Sequence, residues 1–243
     1  MTHTPSRIRG FPWPTDSASS DARSPLTRDQ IVDAAIRLAD AEGLEAVSMR
    51  RLGTELGAGA TSLYWHVRNK DELLDLMVDR IIGEVQAEIE PADTWRSQLE
   101  EAARALRRVL VKHRHIAPVI GTRPTFGPRA VEAVEWLMGR ARAGGADPRT
   151  SLLAAQAVLN WAAGFAVFEC RDPLGVDASD EDRRAFIDEL GRFVAGLPAD
   201  RFPNTLATLE SAATITPTEQ FEYGLRLLMN GIEAELRSGR TSG

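Results

Sequence analysis

Apolar positions recur at helical spacing along most of this chain, and no stretch alternates apolar and polar residues long enough to argue for a sheet. The pattern therefore predicts an all-α protein. Residues 1–25 are rich in Pro, Ser, Thr and Asp without periodicity, which predicts a disordered arm; it holds Arg7, Arg9 and Arg23. Thr27-Arg28-Asp29-Gln30 then has the form of a capping box. The helix it opens carries Ile31, Ala34, Ala35, Leu38 and Ala39 on one face and ends at Gly43. Ser48 is placed to cap a second helix with Met49, Leu52 and Leu56 facing inward. Gly57 and Gly59 should turn the chain through conformations that glycine tolerates. A third, short helix follows, with Leu63 and Val67 four apart. Asn69 caps a long helix from Lys70 to Glu90, which Pro91 stops. Its Leu73, Leu74, Met77, Ile81, Ile82 and Val85 supply more apolar surface than a solvated linker needs.

Beyond Pro91 the periodicity predicts helices at about 95–114, 128–143, 148–169, 181–194 and 217–236, three of them with proline at the first helical position. Residues 170–182 read as an acidic loop. The last helix has Phe221, Leu225, Leu228, Ile232 and Leu236 on one stripe, with Gly224 and Gly231 on a neighbouring line. That stripe suits either a core helix or a helix that pairs with its twin. The expected organisation is an arm (1–25), a three-helix head (26–70), a linking helix (71–90), a helical body (91–238) and a short tail (239–243).

Composition narrows the classes. At 43% hydrophobic and 26% charged, the 243 residues are ordinary for a globular protein. No apolar run approaches the roughly 20 residues of a membrane span, so no membrane partner is expected. The N-terminus lacks the apolar core of a signal peptide, which places the chain in the cytoplasm. Cys170 is the only cysteine, and no Cys/His cluster has metal-ligand spacing, so neither a metal nor a cofactor is expected. The four histidines stand in no nucleophile context, and there is no HExxH or Gly-rich phosphate loop. An enzyme on a helical scaffold is thus a minor alternative. The net charge of −6 divides unevenly: residues 1–70 hold 9 Lys+Arg and 8 Asp+Glu, and the remainder holds 20 and 27. A head near +1 on a body near −7 can grip phosphate locally but not wrap DNA around itself, which weighs against a non-specific architectural DNA binder.

The chemistry concentrates in Ser48–Lys70, SMRRLGTELGAGATSLYWHVRNK. Two helices around a glycine turn, with Thr61, Ser62, Tyr64, Trp65 and His66 pointing away from Leu63 and Val67, form a helix-turn-helix pattern, whose second helix enters a DNA major groove. Arg50, Arg51, Arg68 and Lys70 face the single acid Glu55 there. A surface hairpin with solvated arginines is the bland reading.

LYWHVRNK closely resembles the recognition helix and following turn of the tetracycline-repressor (TetR) family of one-component regulators. GTRP at 121–124, KHR before it, Trp95, and GLRLLMNGIEAEL near the end also fall in register, so the likeness covers about residues 27–238. It implies a homodimeric, ligand-responsive regulator of transcription, most often a repressor, that binds a palindromic double-stranded operator. The helices at 148–169 and 217–236 would form the dimer interface. By the same likeness Arg50 would read guanine, and Tyr64, Trp65, His66 and Lys70 would hold or position the backbone. Ser48 and Ser62 would lie near phosphates. Ala60 and Thr61 stand where the family's founder has glutamine and proline, so the operator should differ near an outer guanine.

The pocket departs further. Val119 replaces a histidine that helps hold a drug-bound magnesium; Ala102 and Leu106 replace a polar anchor and an aromatic; Gln86 aligns near another pocket histidine. Thr122 and Arg123 are retained, and Glu169 matches a metal-side acid only with a one-residue slip. Trp136, Asn160, Trp161, Phe165 and Phe168 would complete a more apolar wall, although an aromatic stripe suits a core equally well. The resemblance then implies a small apolar or aromatic effector, not tetracycline–magnesium.

Overall fold

The computed structural model describes residues 26–120, 127–171, 179–212 and 214–241, and among them every regular element is helical. Helices α1 (Arg28–Glu42), α2 (Met49–Glu55) and α3 (Ala60–Tyr64) form the head, and α4 (Lys70–Ala87) leaves it. The body helices are α5 (Trp95–Lys112), α6 (Ala117–Ile120), α7 (Pro128–Ala143) and α8 (Pro148–Glu169). Then come α9 (Asp180–Ala195), α10 (Pro203–Ala207), α11 (Leu209–Ala212) and α12 (Pro217–Thr241). The expected arm, Thr122, Arg123 and residues 172–178 of the acidic loop lie outside the described residues.

Helix starts follow the local chemistry. Gln30 N donates to Thr27 Oγ1 at 3.2 Å while Thr27 N donates to Gln30 Oε1 at 2.8 Å, a closed capping box. Ser48 accepts from Arg51 N at 3.2 Å, and Asn69 from Glu72 N at 2.8 Å. Of the two turn glycines, Gly57 has φ 63°, the left-handed conformation expected. Gly59 instead sits at φ −68° as the residue before α3, so it starts a helix rather than breaking one. Helix α4 ends at Ala87, ahead of the proline, with Glu88 N closing onto the carbonyls of Glu84 and Val85. Short elements at Leu44–Ala46, α6, α10 and α11 escape the periodicity reading, because three to five residues are too few to show a period.

The described residues divide into two units, one within Met1–Cys170 and Leu228–Gly243, the other within Arg171–Leu227. In the first, α4 packs on α1, α5 and α7, and α5 and α7 pack on α8. Its core runs unbroken from Ile31, Leu52 and Leu63 in the head through Leu73, Met77 and Ile81 of α4 to Leu99, Leu110 and Ile116, all fully buried. Helix α8 is long and apolar enough to cross a membrane by length and composition alone, contrary to the sequence expectation. Its small-residue side, Ala154, Ala155, Val158, Ala162 and Ala166, is buried, with α5 and α7 packed on the helix. In the second unit α9, α10 and α11 touch one another, and Phe186, Ile187, Leu190 and Phe193 of α9 remain exposed.

The stripe on α12 faces inward: Phe221, Leu225 and Leu236 are buried and Leu228 and Ile232 partly so. The side that stays open carries Tyr223, Leu227, Asn230, Gly231 and Ala234. On α8 the open side carries Leu152, Leu153, Gln156, Asn160, Gly164 and Phe168. A Cβ added at Gly164 or Gly231 would meet nothing within 4 Å, so both glycines border open space.

Candidate DNA interface and effector region

The third helix is only five residues long and cannot stand alone, since short helices are marginal in water. It is held by Leu63 and Val67, both fully buried, beneath which Leu52 of α2 is also buried. Arg28 Nε of α1 donates to the carbonyl of His66 at 3.0 Å and ties the far end of the turn to the first helix. With that side anchored, Thr61, Ser62, Tyr64 and Trp65 are turned outward; Trp65 is 86% exposed and Tyr64 51%. His66 is half-buried, so its ring is less available than its neighbours. Ala60 opens the helix; its side chain lies outside the described residues.

The charges sort themselves. Arg51 is held by Glu42 at 2.7 Å and Arg68 by Glu72 at 2.9 Å, which leaves these two cations internally neutralised. Among the described residues no carboxylate pairs with the exposed Arg50 or Lys70. Arg50 projects from α2 and Lys70 opens α4, flanking α3 on either side in the chain. Ser48 caps α2 through its oxygen and keeps its own O–H to donate. Two free cations, exposed hydroxyls and two uncovered aromatics on one short helix-turn-helix can hold phosphates and reach base edges.

In the body the expected effector residues do not all come together. Ala102 and Leu106 of α5 and Val119 of α6 are buried. Trp161 and Phe165 are half-buried on α8, their rings 5.6 Å apart and tilted 45°. Arg107, which the sequence offered no reason to single out, stacks over Phe165 at 5.7 Å and forms a two-pronged pair with Glu169 at 2.7 and 2.8 Å. Glu169 is therefore committed to an arginine 62 positions away, a charge-assisted bond rather than an open metal ligand. Trp136 packs under Arg140 at 5.3 Å, half-buried on α7. Gln86, Asn160 and Phe168 do not join them: Gln86 is exposed near the end of α4, and Asn160 and Phe168 lie on the open side of α8. No group of three metal-capable side chains converges among the described residues. An open groove of about 460 Å³ lies between α1 and α2, walled by Arg37 and Arg51 facing Glu42 and Glu55; it is a surface feature of the head.

One further residue links the two regions. Asp79 of α4, 2% exposed, accepts from the backbone N–H groups of Arg129 at 3.0 Å and Ala130 at 3.2 Å, so α4 caps the start of α7. A methyl at Gly127 would land on that carboxylate, and one at Gly83 on the Arg129 side chain. Burial pushes the Asp79 carboxyl up from its ordinary value, against the lowering by the Ala130 amide and by Arg129. Sequence alone could not reveal a cap supplied from 50 positions away.

Residues 31–77 match the family model for bacterial regulatory proteins of the tetR family, and residues 89–236 match the tetracyclin repressor-like C-terminal domain. An HTH-type transcriptional regulator of Saccharopolyspora erythraea is 36% identical over 204 residues, covering 82% of this chain and 86% of that protein. The transcriptional repressor DrrR1 of Streptomyces coeruleorubidus is 33% identical over 234 residues, covering 91% and 83%. The crystal structure of ActR from Streptomyces coelicolor in complex with actinorhodin superposes with a TM-score of 0.75 at 33% identity, covering 88% of this chain and 99% of that one.

Proposed function

This chain belongs to the TetR family of bacterial regulators and is a DNA-binding transcriptional regulator, and from that premise we propose that it is a repressor released from a palindromic operator by a small apolar or aromatic molecule. The observation that carries this reading is the outward face of α3, with Trp65 and Tyr64 uncovered beside the unpaired Arg50 and Lys70. Exposed aromatics and unneutralised cations on so small a surface are retained where a partner covers them. Arg50 offers two parallel donors to the O6 and N7 of a guanine edge. Thr61, Ser62, Tyr64 and Lys70 hold the backbone, with Ser48 and His66 at the margin. Alanine at position 60 supplies no hydrogen bond to a base, which leaves readout at that point to apolar contact.

The protein acts as a homodimer in the cytoplasm, so that two copies of α3 reach successive major grooves. The open faces of α8 and α12 support this: Leu152, Leu153 and Phe168 on one, Tyr223 and Leu227 on the other, each with a glycine bordering free space. The effector sits among Ala102, Leu106, Val119, Trp161 and Phe165, with Arg107 beside the aromatic pair and Thr122 and Arg123 as candidate polar contacts. An apolar wall beside a mutually satisfied Arg107–Glu169 pair suits a flat organic molecule. That the related ActR was solved holding actinorhodin, and DrrR1 is named a repressor, supports both halves of the proposal. For release, the effector must bind the DNA-incompetent arrangement of α4 more tightly than the competent one.

Selection of bound sequences from random duplex DNA, followed by a screen of compounds for release, tests the reading. A recovered two-fold symmetric site with release by aromatic compounds is the expected result. Equal affinity for all duplexes would overturn it in favour of the architectural reading.

A further inference from the structure

His113 is the C-terminal cap of α5 and is 3% exposed. Its Nδ1 lies 2.8 Å from Asp40 Oδ2 of α1, and its Nε2 lies 3.1 Å from Glu84 Oε2 of α4. One buried imidazole of the body thus touches both the first helix of the head and the helix that carries the head. All three residues belong to the same unit. Another pair, Arg80–Asp33 at 3.0 Å, also joins α1 to α4, but it does not involve the body. The Asp40–His113 bond joins the head directly to α5.

The protonation state decides whether the link closes. A neutral imidazole has one N–H and one lone pair, so it can donate to one carboxylate only, and its lone pair then faces the oxygens of the other. Only the imidazolium donates at both nitrogens, and the two carboxylates compensate its buried charge. The surroundings reinforce this. Lys112 of α5 donates to the same Glu84 Oε2 at 2.8 Å, with Glu88 also in its field. Burial pushes the Glu84 carboxyl up, but the bonds from Lys112 and His113 outweigh it and leave Glu84 below its ordinary value, so it stays an acceptor. Helix α6 brings no titratable side chain, and Glu169 at the end of α8 is occupied by Arg107.

We propose that His113 is a proton-dependent clasp between the DNA-binding head and the body, so that protonation is a second input to operator binding beside the organic effector. The clasped arrangement takes up a proton, and falling pH favours whichever of the DNA-bound and released states is clasped. The operator arm of the test rests on the reading above; the state of the ring does not.

Operator affinity is measured at fixed ionic strength between about pH 5 and 8, where histidine titrates, for the full-length protein and for His113→Asn, Asp40→Asn and His115→Asn. The parent should show a slope that approaches about tenfold per pH unit where a whole proton is exchanged. That slope should flatten in His113→Asn and Asp40→Asn and persist in His115→Asn, and its sign identifies the clasped state. Nitrogen-15 spectra of histidine-labelled protein without DNA should show both ring nitrogens of His113 protonated at the acid end and one at the alkaline end. A slope that is absent from the parent, unchanged in His113→Asn or lost in His115→Asn overturns the proposal, as does a His113 that stays a single neutral tautomer throughout. If no variant binds any duplex, the operator reading has failed, and the spectra alone decide the clasp.

Discussion

Removing the Asp79 carboxylate should loosen the junction between α4 and α7, and the structure sets the size of the effect. The carboxylate is 2% exposed and accepts two backbone N–H groups at the first turn of α7, whose own preceding residue, Gly127, has no side chain to cap them. In Asp79→Ala both amides lose their acceptor in a site that water enters poorly. A buried donor left unsatisfied costs about 1–3 kcal/mol, so partial rescue by water leaves on the order of 2–4 kcal/mol for the pair. The Arg129 guanidinium, 3.5 Å away with its side chain 41% exposed, adds little through the ion pair itself. Asp79→Asn keeps an acceptor and removes the buried charge, so it should cost clearly less than alanine.

The sign with pH follows from the raised carboxyl. An acid whose folded pKa lies above its unfolded one ionises more easily in the unfolded chain. Stability is therefore withdrawn as pH rises through the interval from the unfolded value up to the folded one. Asparagine has no such loss, so the stability difference should move in favour of Asp79→Asn as pH climbs from below about 4. Gly127→Ala provides the cross-check, because its methyl would sit on the carboxylate and overpacking of this kind costs about 1–3 kcal/mol. In the Asp79→Ala background the contacts with the carboxylate are gone and only the 2.7 Å approach to the Cβ at position 79 remains, so the double variant should be more stable than the two single losses added together. Urea unfolding of the parent, Asp79→Ala, Gly127→Ala and the double variant closes the cycle. An Asp79→Ala loss within about 0.5 kcal/mol, the scatter of an ordinary surface substitution, would refute the capping argument.

Three further outcomes are expected. Arg50→Ala should weaken specific binding by about 1–3 kcal/mol and relax choice at one base pair, whereas Lys70→Ala should weaken all duplexes alike and reduce the salt slope; titration of site variants at several salt concentrations separates the two. Leu227→Arg, on the open side of α12 and 53% exposed in the single chain, should shift the protein to monomer in sedimentation while leaving its helical content intact. Tetracycline with magnesium should not release the operator, because Val119 offers no ligand and Glu169 is held by Arg107; metal-dependent release at micromolar drug would count against the pocket assignment, and weaker release by aromatic compounds in Trp161→Ala would support it.

Local chemistry carried most of the architecture. Caps at Thr27, Ser48 and Asn69, prolines at the first turns of α7, α8 and α12, and apolar spacing in α1, α4 and α5 each act within four residues of chain, so the sequence displays them directly. The outward set on α3 was legible for the same reason: Leu63 and Val67 face inward, and a five-residue helix has only one other side. The tertiary structure decided which of several apolar faces is covered. Periodicity marks the inward stripe of α12 at Phe221, Leu225 and Leu236, but it cannot say that Tyr223 and Leu227 on the opposite side are the ones left open. It likewise placed Phe168 with Trp161 and Phe165, although the end of α8 leaves Phe168 uncovered. The pairs that join elements were invisible: Arg107 with Glu169, Asp79 with the α7 amides, and His113 with Asp40 and Glu84 lie between 29 and 73 positions apart. A helix repeats every 3.6 residues and so writes its own pattern into the chain, whereas a hydrogen bond between helices depends on how they cross, which no local period encodes.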